Sequence, residues 1–287
     1  MARVTAVPSS DHVVTLCHGR SLAYAEWGDP AGRPVVLFLG TPGSRLLCPD
    51  ADATESLGVR LITLDRPGYG RSDPDPDFSL LSWADDYAAF HGLLGLPPCP
   101  LVGWSGGGPY ALACAVLAPA LVTSIGLAAS RAPLDEFPGA WSEEDRSLGD
   151  LLRQDRAAGI DAIVRHVQWW TEDPGSVFRD GWEGPDDALL AQPGVRDTMI
   201  EWTREGARQG SVGYVADLIA KFDPSDFSAS DITQDVGVWV GEADAPWAHA
   251  AAAYLAATIP RATLVTYQGT GHLLAIPHWA EMLTWLH

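Results

Sequence analysis

The sequence predicts an α/β fold in which a mostly parallel central sheet is covered by helices on both faces. Short apolar segments without alternation predict strands that are buried on both faces, at residues 34–39, 60–64, 100–104 and 122–128. Helical segments separate the first strands, at residues 49–57, 80–94 and 108–117. The resulting βαβαβ order is typical of parallel sheets, whose functional residues follow the carboxyl ends of the strands.

Strands also begin and end the chain. Residues 13–17 and 21–27 flank His18-Gly19-Arg20, which predicts a hairpin. Two late strands are predicted at 236–240 and 263–267, with helices at 247–257 and 277–286. We therefore predict a core domain formed by residues 1–130 and 235–287.

The intervening residues 131–234 contain no convincing strand, and we predict that they form a mostly helical cap, or lid, inserted into the core domain. Their apolar residues recur at helical spacing, for example at Ile160, Ile163, Val164 and Val167. The segment holds 21 acidic and 10 basic residues, a net charge of −11, and five of the twelve tryptophans.

Composition limits the classes of partner. The chain has 287 residues, 47% of them hydrophobic, which is enough for a large core. Its 37 acidic and 18 basic residues give a net charge of −19, which argues against nucleic acid and anionic membranes as partners. The four cysteines form no C-x-x-C pair and no zinc-type spacing, so we expect reduced thiols, a cytoplasmic location and no metal site. No secretion signal is recognisable.

One uncharged stretch, residues 106–130, is long enough to imitate a membrane span. Three glycines open it and Pro119 divides it, so a buried helix followed by a buried strand is the better interpretation.

A nucleophile is predicted at Ser105. Gly103 and Gly107 flank it in a G-x-S-x-G pattern that lies between a strand and a helix, the context in which this turn projects a serine hydroxyl. Pro109 suits the first turn of the following helix.

A base and an acid follow the two late strands. His272 lies in the glycine-rich turn after the last strand, and no other histidine has such a position. Asp244 lies in the loop after the preceding strand, with Glu242 as the nearest competing acid. The order Ser105, Asp244, His272 allows an imidazole to take the serine proton while a carboxylate orients the imidazole.

Together with Gly40-Thr41-Pro42-Gly43 and residues 65–72, these motifs resemble the α/β-hydrolase superfamily with a helical cap, and the resemblance extends over nearly the whole chain. It implies a cofactor-independent serine hydrolase with an oxyanion hole formed by the backbone N–H groups of Thr41 and Gly106. One departure is Leu39, which stands where many relatives have a histidine that organises the oxyanion loop.

The leading functional hypothesis is hydrolysis of an ester, thioester, lactone or amide through an acyl-enzyme on Ser105. An aminopeptidase resembling the proline iminopeptidases remains open, as do a carbon–carbon hydrolase or cyclase and a non-catalytic ligand-binding protein of the same fold.

The composition of the cap predicts the substrate class. Its acidic charge and its tryptophans favour a neutral or cationic small molecule with an apolar part. We expect Trp104, Trp169 and Trp170 to contact this substrate. The oligomeric state is not predicted.

Overall fold

The computed structural model describes residues 2–179 and 181–287, and the strands of this part of the chain form one eight-stranded sheet. The strands are β1 (Ser10–Thr15), β2 (Ser21–Gly28), β3 (Arg33–Phe38), β4 (Val59–Leu64), β5 (Cys99–Trp104), β6 (Val122–Ala128), β7 (Asp235–Gly241) and β8 (Ala262–Tyr267). Their order across the sheet is β1-β2-β4-β3-β5-β6-β7-β8. β1 and β2 form the predicted hairpin, and β2 is also antiparallel to β4. All other neighbours are parallel, so the carboxyl ends of β3 to β8 lie along one edge.

Three helices connect the first six strands. They are α1 (Ala51–Ser56), α2 (Leu80–Leu94) and α3 (Gly108–Leu117). The start of α2 is stabilised by a reciprocal capping arrangement between Ser79 and Ser82. Residues 106–130, which imitate a membrane span, form α3 and β6, as predicted.

The long segment between β6 and β7 is helical. Its helices are α4 (Glu143–Gln154), α5 (Arg156–His166), α6 (Gln168–Glu172), α7 (Ser176–Arg179), α8 (Gly184–Leu190), α9 (Val195–Gly206) and α10 (Val212–Phe222). Ser142 and Asp155 cap α4 and α5, so the chain can turn sharply between them. Ile163 and Val167 are fully buried. We call α4 to α10 the insertion helices.

The chain returns to the sheet through β7, α11 (Pro246–Thr258), β8 and α12 (Trp279–Trp285). Apolar clusters cover both faces of the sheet, one built around Trp83 and Tyr87 and the other around Trp239 and Trp279. The predicted α/β-hydrolase fold, with helices on both faces of a mostly parallel sheet, is confirmed. Among the described residues, no helix has the length and apolar character needed to cross a bilayer.

Candidate active site

Ser105 lies at the junction between β5 and α3, at the carboxyl edge of the sheet. Its φ angle is 53°, a left-handed conformation that costs free energy for a residue other than glycine. The chains on either side approach too closely for side chains. A methyl group on Gly103 would lie 2.6 Å from the Cα of Gly108, and one on Gly107 would collide with the carbonyl of Phe38. The local sequence therefore imposes the turn that presents the Ser105 hydroxyl.

A continuous hydrogen-bonded chain links Ser105, His272 and Asp244. The Oγ of Ser105 lies 3.0 Å from the Nε2 of His272, and the Nδ1 of His272 lies 3.1 Å from each carboxylate oxygen of Asp244. The side chain of Asp244 is buried, and its Oδ1 also accepts a hydrogen bond from the N–H of Ala245. This geometry allows an imidazole to take the serine proton while the carboxylate stabilises the imidazolium.

Glu242 does not contact His272. Its carboxylate accepts a hydrogen bond from the N–H of Gly269, and its residue is exposed. Alternation along the end of β7 turns Glu242 away from its neighbours. Of the two acids considered for this position, only Asp244 reaches the histidine.

The loop after β3 lies beside Ser105. The N–H of Thr41 donates to no acceptor among the described residues, so it is free for a ligand oxygen. Arg66 holds this loop: its Nη1 donates to the Leu39 carbonyl at 2.7 Å, and its Nη2 donates to the Gly40 carbonyl at 3.2 Å. Arg66 thus organises the loop that contains Leu39 and Gly40.

Arg66 is itself held by Asp217 of α10. Its Nε and Nη2 lie 3.0 Å from the two carboxylate oxygens of Asp217, which is fully buried. The hydroxyls of Tyr69 and Tyr110 donate to the same carboxylate. Burial by itself would raise the pKa of Asp217, but Arg66 and Lys221 hold that pKa well below its usual range. An insertion helix therefore fixes the loop beside Ser105.

A second insertion carboxylate holds the loop that carries His272. Asp186 of α8 accepts hydrogen bonds from the N–H groups of His272 and Leu273, at 2.7 and 3.0 Å. A side chain on Gly271 would collide with this carboxylate. Burial raises the pKa of Asp186, although these two N–H groups favour its ionised form. Asp186 is thus a positioning residue for the histidine loop.

Two cavities meet at Ser105. The first, which we call the apolar cavity, has a volume of about 120 Å³ and shares Thr41, Ser105 and His272 with the second. Its remaining walls are almost entirely apolar, and its large side chains are Trp104, Phe178, Trp182, Met199, Trp202 and Leu273. Such a wall binds an apolar group.

The second, which we call the polar cavity, has a volume of about 210 Å³. Its lining includes Gly106 and the polar side chains of Arg131, Asp145, His166 and Lys221. Tyr214 and two tryptophans, Trp141 and Trp247, complete most of the wall. A larger cavity of about 580 Å³ lies between residues 74–79 and the helices α5 and α10, and none of the predicted site residues lines it.

The expected contacts from three tryptophans are only partly consistent with these cavities. Trp104 lines the apolar cavity and donates a hydrogen bond to the carbonyl of His272. Neither Trp169 nor Trp170 lines a cavity at Ser105, so their contact with a substrate stays a prediction without support from these two cavities. Trp170 is fully buried against Tyr69 and Tyr214, whereas Trp169 is 42% exposed. Helical periodicity places one of two adjacent residues in the core and the other at the surface.

Sequence reasoning missed four polar residues of this site, namely Arg66, Asp186, Asp217 and Lys221. Asp186 and Asp217 have no local signal, since each is one of 21 acidic residues in the segment 131–234. Lys221 does have a signal in the sequence, because it is the only lysine in the chain, against 17 arginines.

Comparisons with known proteins establish the family of the chain. Residues 16–284 match the model of the alpha/beta hydrolase family. A non-heme chloroperoxidase from Streptomyces lividans is 29% identical over 92% of this chain and 94% of its own length. A bromoperoxidase from Bacillus anthracis shares the fold with a TM-score of 0.71 at 20% identity, covering 96% of this chain and 99% of that one. An esterase from Exiguobacterium antarcticum shares the fold with a TM-score of 0.67 at 21% identity, covering 95% of this chain and 97% of that one. The chain therefore belongs to the alpha/beta hydrolase family.

Proposed function

We propose that this protein is a serine hydrolase in which Ser105 is the nucleophile, His272 the general base and Asp244 the residue that orients the histidine. The observation that carries the proposal is the hydrogen-bonded chain from Asp244 through His272 to Ser105, which ends where two cavities meet. Nucleophile, base and orienting acid at these separations are the arrangement that activates a serine hydroxyl.

The reaction follows from this arrangement. The Oγ of Ser105 attacks the carbonyl carbon while its proton passes to the Nε2 of His272. The N–H groups of Thr41 and Gly106 stabilise the oxyanion. His272 then protonates the leaving group, and a water molecule, deprotonated by the same imidazole, releases the acyl group. No cofactor takes part in these steps.

The apolar cavity supports the expectation that the substrate has an apolar part. A cationic substrate has less support, because two cations, Arg131 and Lys221, line the polar cavity. An aminopeptidase would need a carboxylate for the substrate's ammonium group. Asp145 is the acidic residue that lines this cavity, and it lies 3.8 Å from Arg131. We therefore favour an ester or thioester over an N-terminal amide.

A fluorophosphonate probe tests the proposal. Wild-type protein should be labelled at Ser105, and Ser105→Ala should not be labelled, because no other serine is paired with His272. A panel of p-nitrophenyl esters and aminoacyl arylamides then identifies the reaction class, with hydrolysis of the esters expected. If the wild type is neither labelled nor active on any member of the panel, the non-catalytic alternative replaces the proposal.

The similarity to a named non-heme chloroperoxidase over 92% of the chain favours one second candidate, acyl transfer to hydrogen peroxide. Hydrogen peroxide would replace water as the acceptor and give a peracid, which can oxidise a halide. Halogenation of monochlorodimedone with peroxide, bromide and acetate should then require Ser105. Equal halogenation by wild type and Ser105→Ala would remove this candidate.

A further inference from the structure

A buried cluster of charged side chains beside the polar cavity has an excess of positive charge. Arg66 and Lys221 share one carboxylate, that of Asp217, whose Oδ2 lies 3.3 Å from the Nζ of Lys221. Asp217 is fully buried, and Arg66 and Lys221 are each 3% exposed. Two cations and one anion leave a net charge of +1, and an uncompensated charge away from water is costly. The cluster therefore favours an additional anion.

The ammonium group of Lys221 lies next to the groups proposed to bind the oxyanion. Its Nζ donates to the Oγ1 of Thr41 at 2.8 Å, and a methyl group on Gly106 would lie 3.1 Å from it. An ammonium group has three donors. Thr41 and Asp217 accept two of them, which leaves the third for an acceptor in the polar cavity that this side chain lines.

Arg131 supplies a second cation to the same cavity. Its guanidinium lies between the rings of Trp141 and Trp247, 4.4 and 4.1 Å from their centres, which fixes its plane. One of its nitrogens, Nη1, donates to the Ala140 carbonyl at 3.0 Å. Asp145, at 3.8 Å, is beyond hydrogen-bond distance. The guanidinium of Arg131 is thus held in a fixed orientation, and several of its N–H donors remain available to a ligand.

Two further ionisable groups of the cavity wall are His166 and Asp145. His166 pairs with Glu144 at 3.0 Å. Asp145 offsets one of the two cations Arg131 and Lys221, so the cavity wall is positive within a chain of net charge −19. The only lysine of the sequence occupies the position where a compact ammonium group fits between Thr41, Gly106 and Asp217.

We propose that the polar cavity is a carboxylate-binding subsite, and that the substrate hydrolysed at Ser105 carries a carboxylate held by Lys221 and Arg131 while its apolar part fills the apolar cavity. This inference rests on the proposed function. A substrate carboxylate supplies the negative charge that the cluster lacks, and its bonds to two cations are charge-assisted. The alternative is a purely structural role, in which Lys221 only neutralises the charge of Asp217. Arg66 already fills that role with two hydrogen bonds.

Matched esters test the subsite. One pair is mono-p-nitrophenyl glutarate and its methyl ester, which differ in the acyl part. The other is 4-carboxyphenyl butyrate and its methyl ester, which differ in the leaving group. In at least one pair, the carboxylate-to-neutral ratio of kcat/KM should fall about tenfold to a hundredfold in Lys221→Met, the typical effect of losing a charge-assisted hydrogen bond.

Arg165→Met is the control, since it removes the same charge from an exposed position of α5. It should leave both ratios at their wild-type values. Ratios that are unchanged in Lys221→Met for both pairs, or that fall equally in Arg165→Met, overturn the inference.

A second measurement needs no variant and no turnover. Because the chain has one lysine, carbamylation by cyanate can be followed on the peptide that contains Lys221. Butyrate should slow this modification severalfold, whereas butyramide at the same concentration should not. Equal protection by both compounds, or none by either, overturns the inference even if Lys221→Met fails to fold. If no ester is hydrolysed, the proposed function fails, while the protection experiment still reports on the carboxylate subsite.

Discussion

The strands and the insertion helices contribute different things to the same site. The loops that follow the strands supply Ser105, Asp244 and His272, the groups that would make and break bonds. The insertion helices supply two carboxylates that position loops of the site. Asp186 holds the loop that carries His272, and Asp217 holds Arg66, which in turn holds the loop after β3. Reactive groups thus come from one region, and much of their positioning comes from the other.

This difference has a physical origin. A strand end followed by a glycine-rich turn creates a site locally, because the backbone conformation is set by a few adjacent residues. A positioning contact joins residues far apart in the chain, such as Asp217 and Arg66, which are 151 positions apart. We therefore expect changes in the strand loops to abolish the reaction, and changes in the insertion to weaken it or to alter its selectivity.

The largest effect is expected for the serine and histidine themselves. Ser105→Ala and His272→Ala should each lower kcat by about 10⁴-fold to 10⁶-fold, because triad members act as a unit. For the same reason the double variant should be no worse than either single one. Steady-state kinetics on a p-nitrophenyl ester measures this. Additive losses in the double variant would show that the two residues act independently.

The next largest effect is expected for Asp244→Asn. It should lower kcat by about 10⁴-fold, because an amide no longer stabilises the imidazolium or selects the tautomer of His272. Glu242→Gln is the matched control two residues away and should retain wild-type kcat, since the carboxylate of Glu242 contacts Gly269 and Gln268 in the loop after β8 and makes no described bond to His272. Circular dichroism should show both variants folded. A greater loss in Glu242→Gln would transfer the acid role to that residue.

In the insertion, Asp186→Asn should lower kcat by about tenfold to a hundredfold with little change in KM. The N–H groups of His272 and Leu273 donate to different oxygens of Asp186, and in asparagine an NH₂ donor replaces one of these oxygens. One N–H group then faces a donor, and the imidazole loses its fixed position. The neighbouring Asp187→Asn removes an acid of the same helix that is 54% exposed and pairs with Arg196, and it should leave kcat unchanged. Equal effects of the two changes would mean that Asp186 only stabilises the helix.

The smallest effect is a change in selectivity with pH. Burial lowers the pKa of Lys221 to about 8, and the positive charges of Arg66 and Arg131 act in the same direction. The negative charge of Asp217, on the same helix, opposes this shift. Thr41 is the remaining direct partner, and it does not titrate. The ammonium is charged below this pKa and neutral above it. The preference for carboxylate esters should thus fall about tenfold between about pH 7 and pH 9.

The ratio of kcat/KM for a carboxylate ester and its methyl ester measures this effect, because any pH dependence that the two esters share cancels in the ratio. The same profile on Lys221→Met should be flat. A decline of the ratio in that variant, with the wild-type midpoint, would assign the titration to another group.

The sequence alone determined the fold and predicted the reactive groups. Apolar runs without alternation identified the buried strands, and glycine spacing identified the turn at Ser105, because both signals depend on neighbours within a few residues. Asp244 and His272 could be assigned because each follows a strand whose end lies at the same edge of the sheet.

Only the tertiary structure decided what surrounds these groups. The periodicity of α6 could not show that Trp169 and Trp170 face away from both cavities, since it indicates burial but not against which partner. Asp186, Asp217 and Lys221 acquire their roles by contacting residues that are remote in sequence. The acidic composition of the insertion likewise concealed a positive cavity wall, because a net charge sums over the whole surface whereas a bound group is affected by the few charges within hydrogen-bond distance.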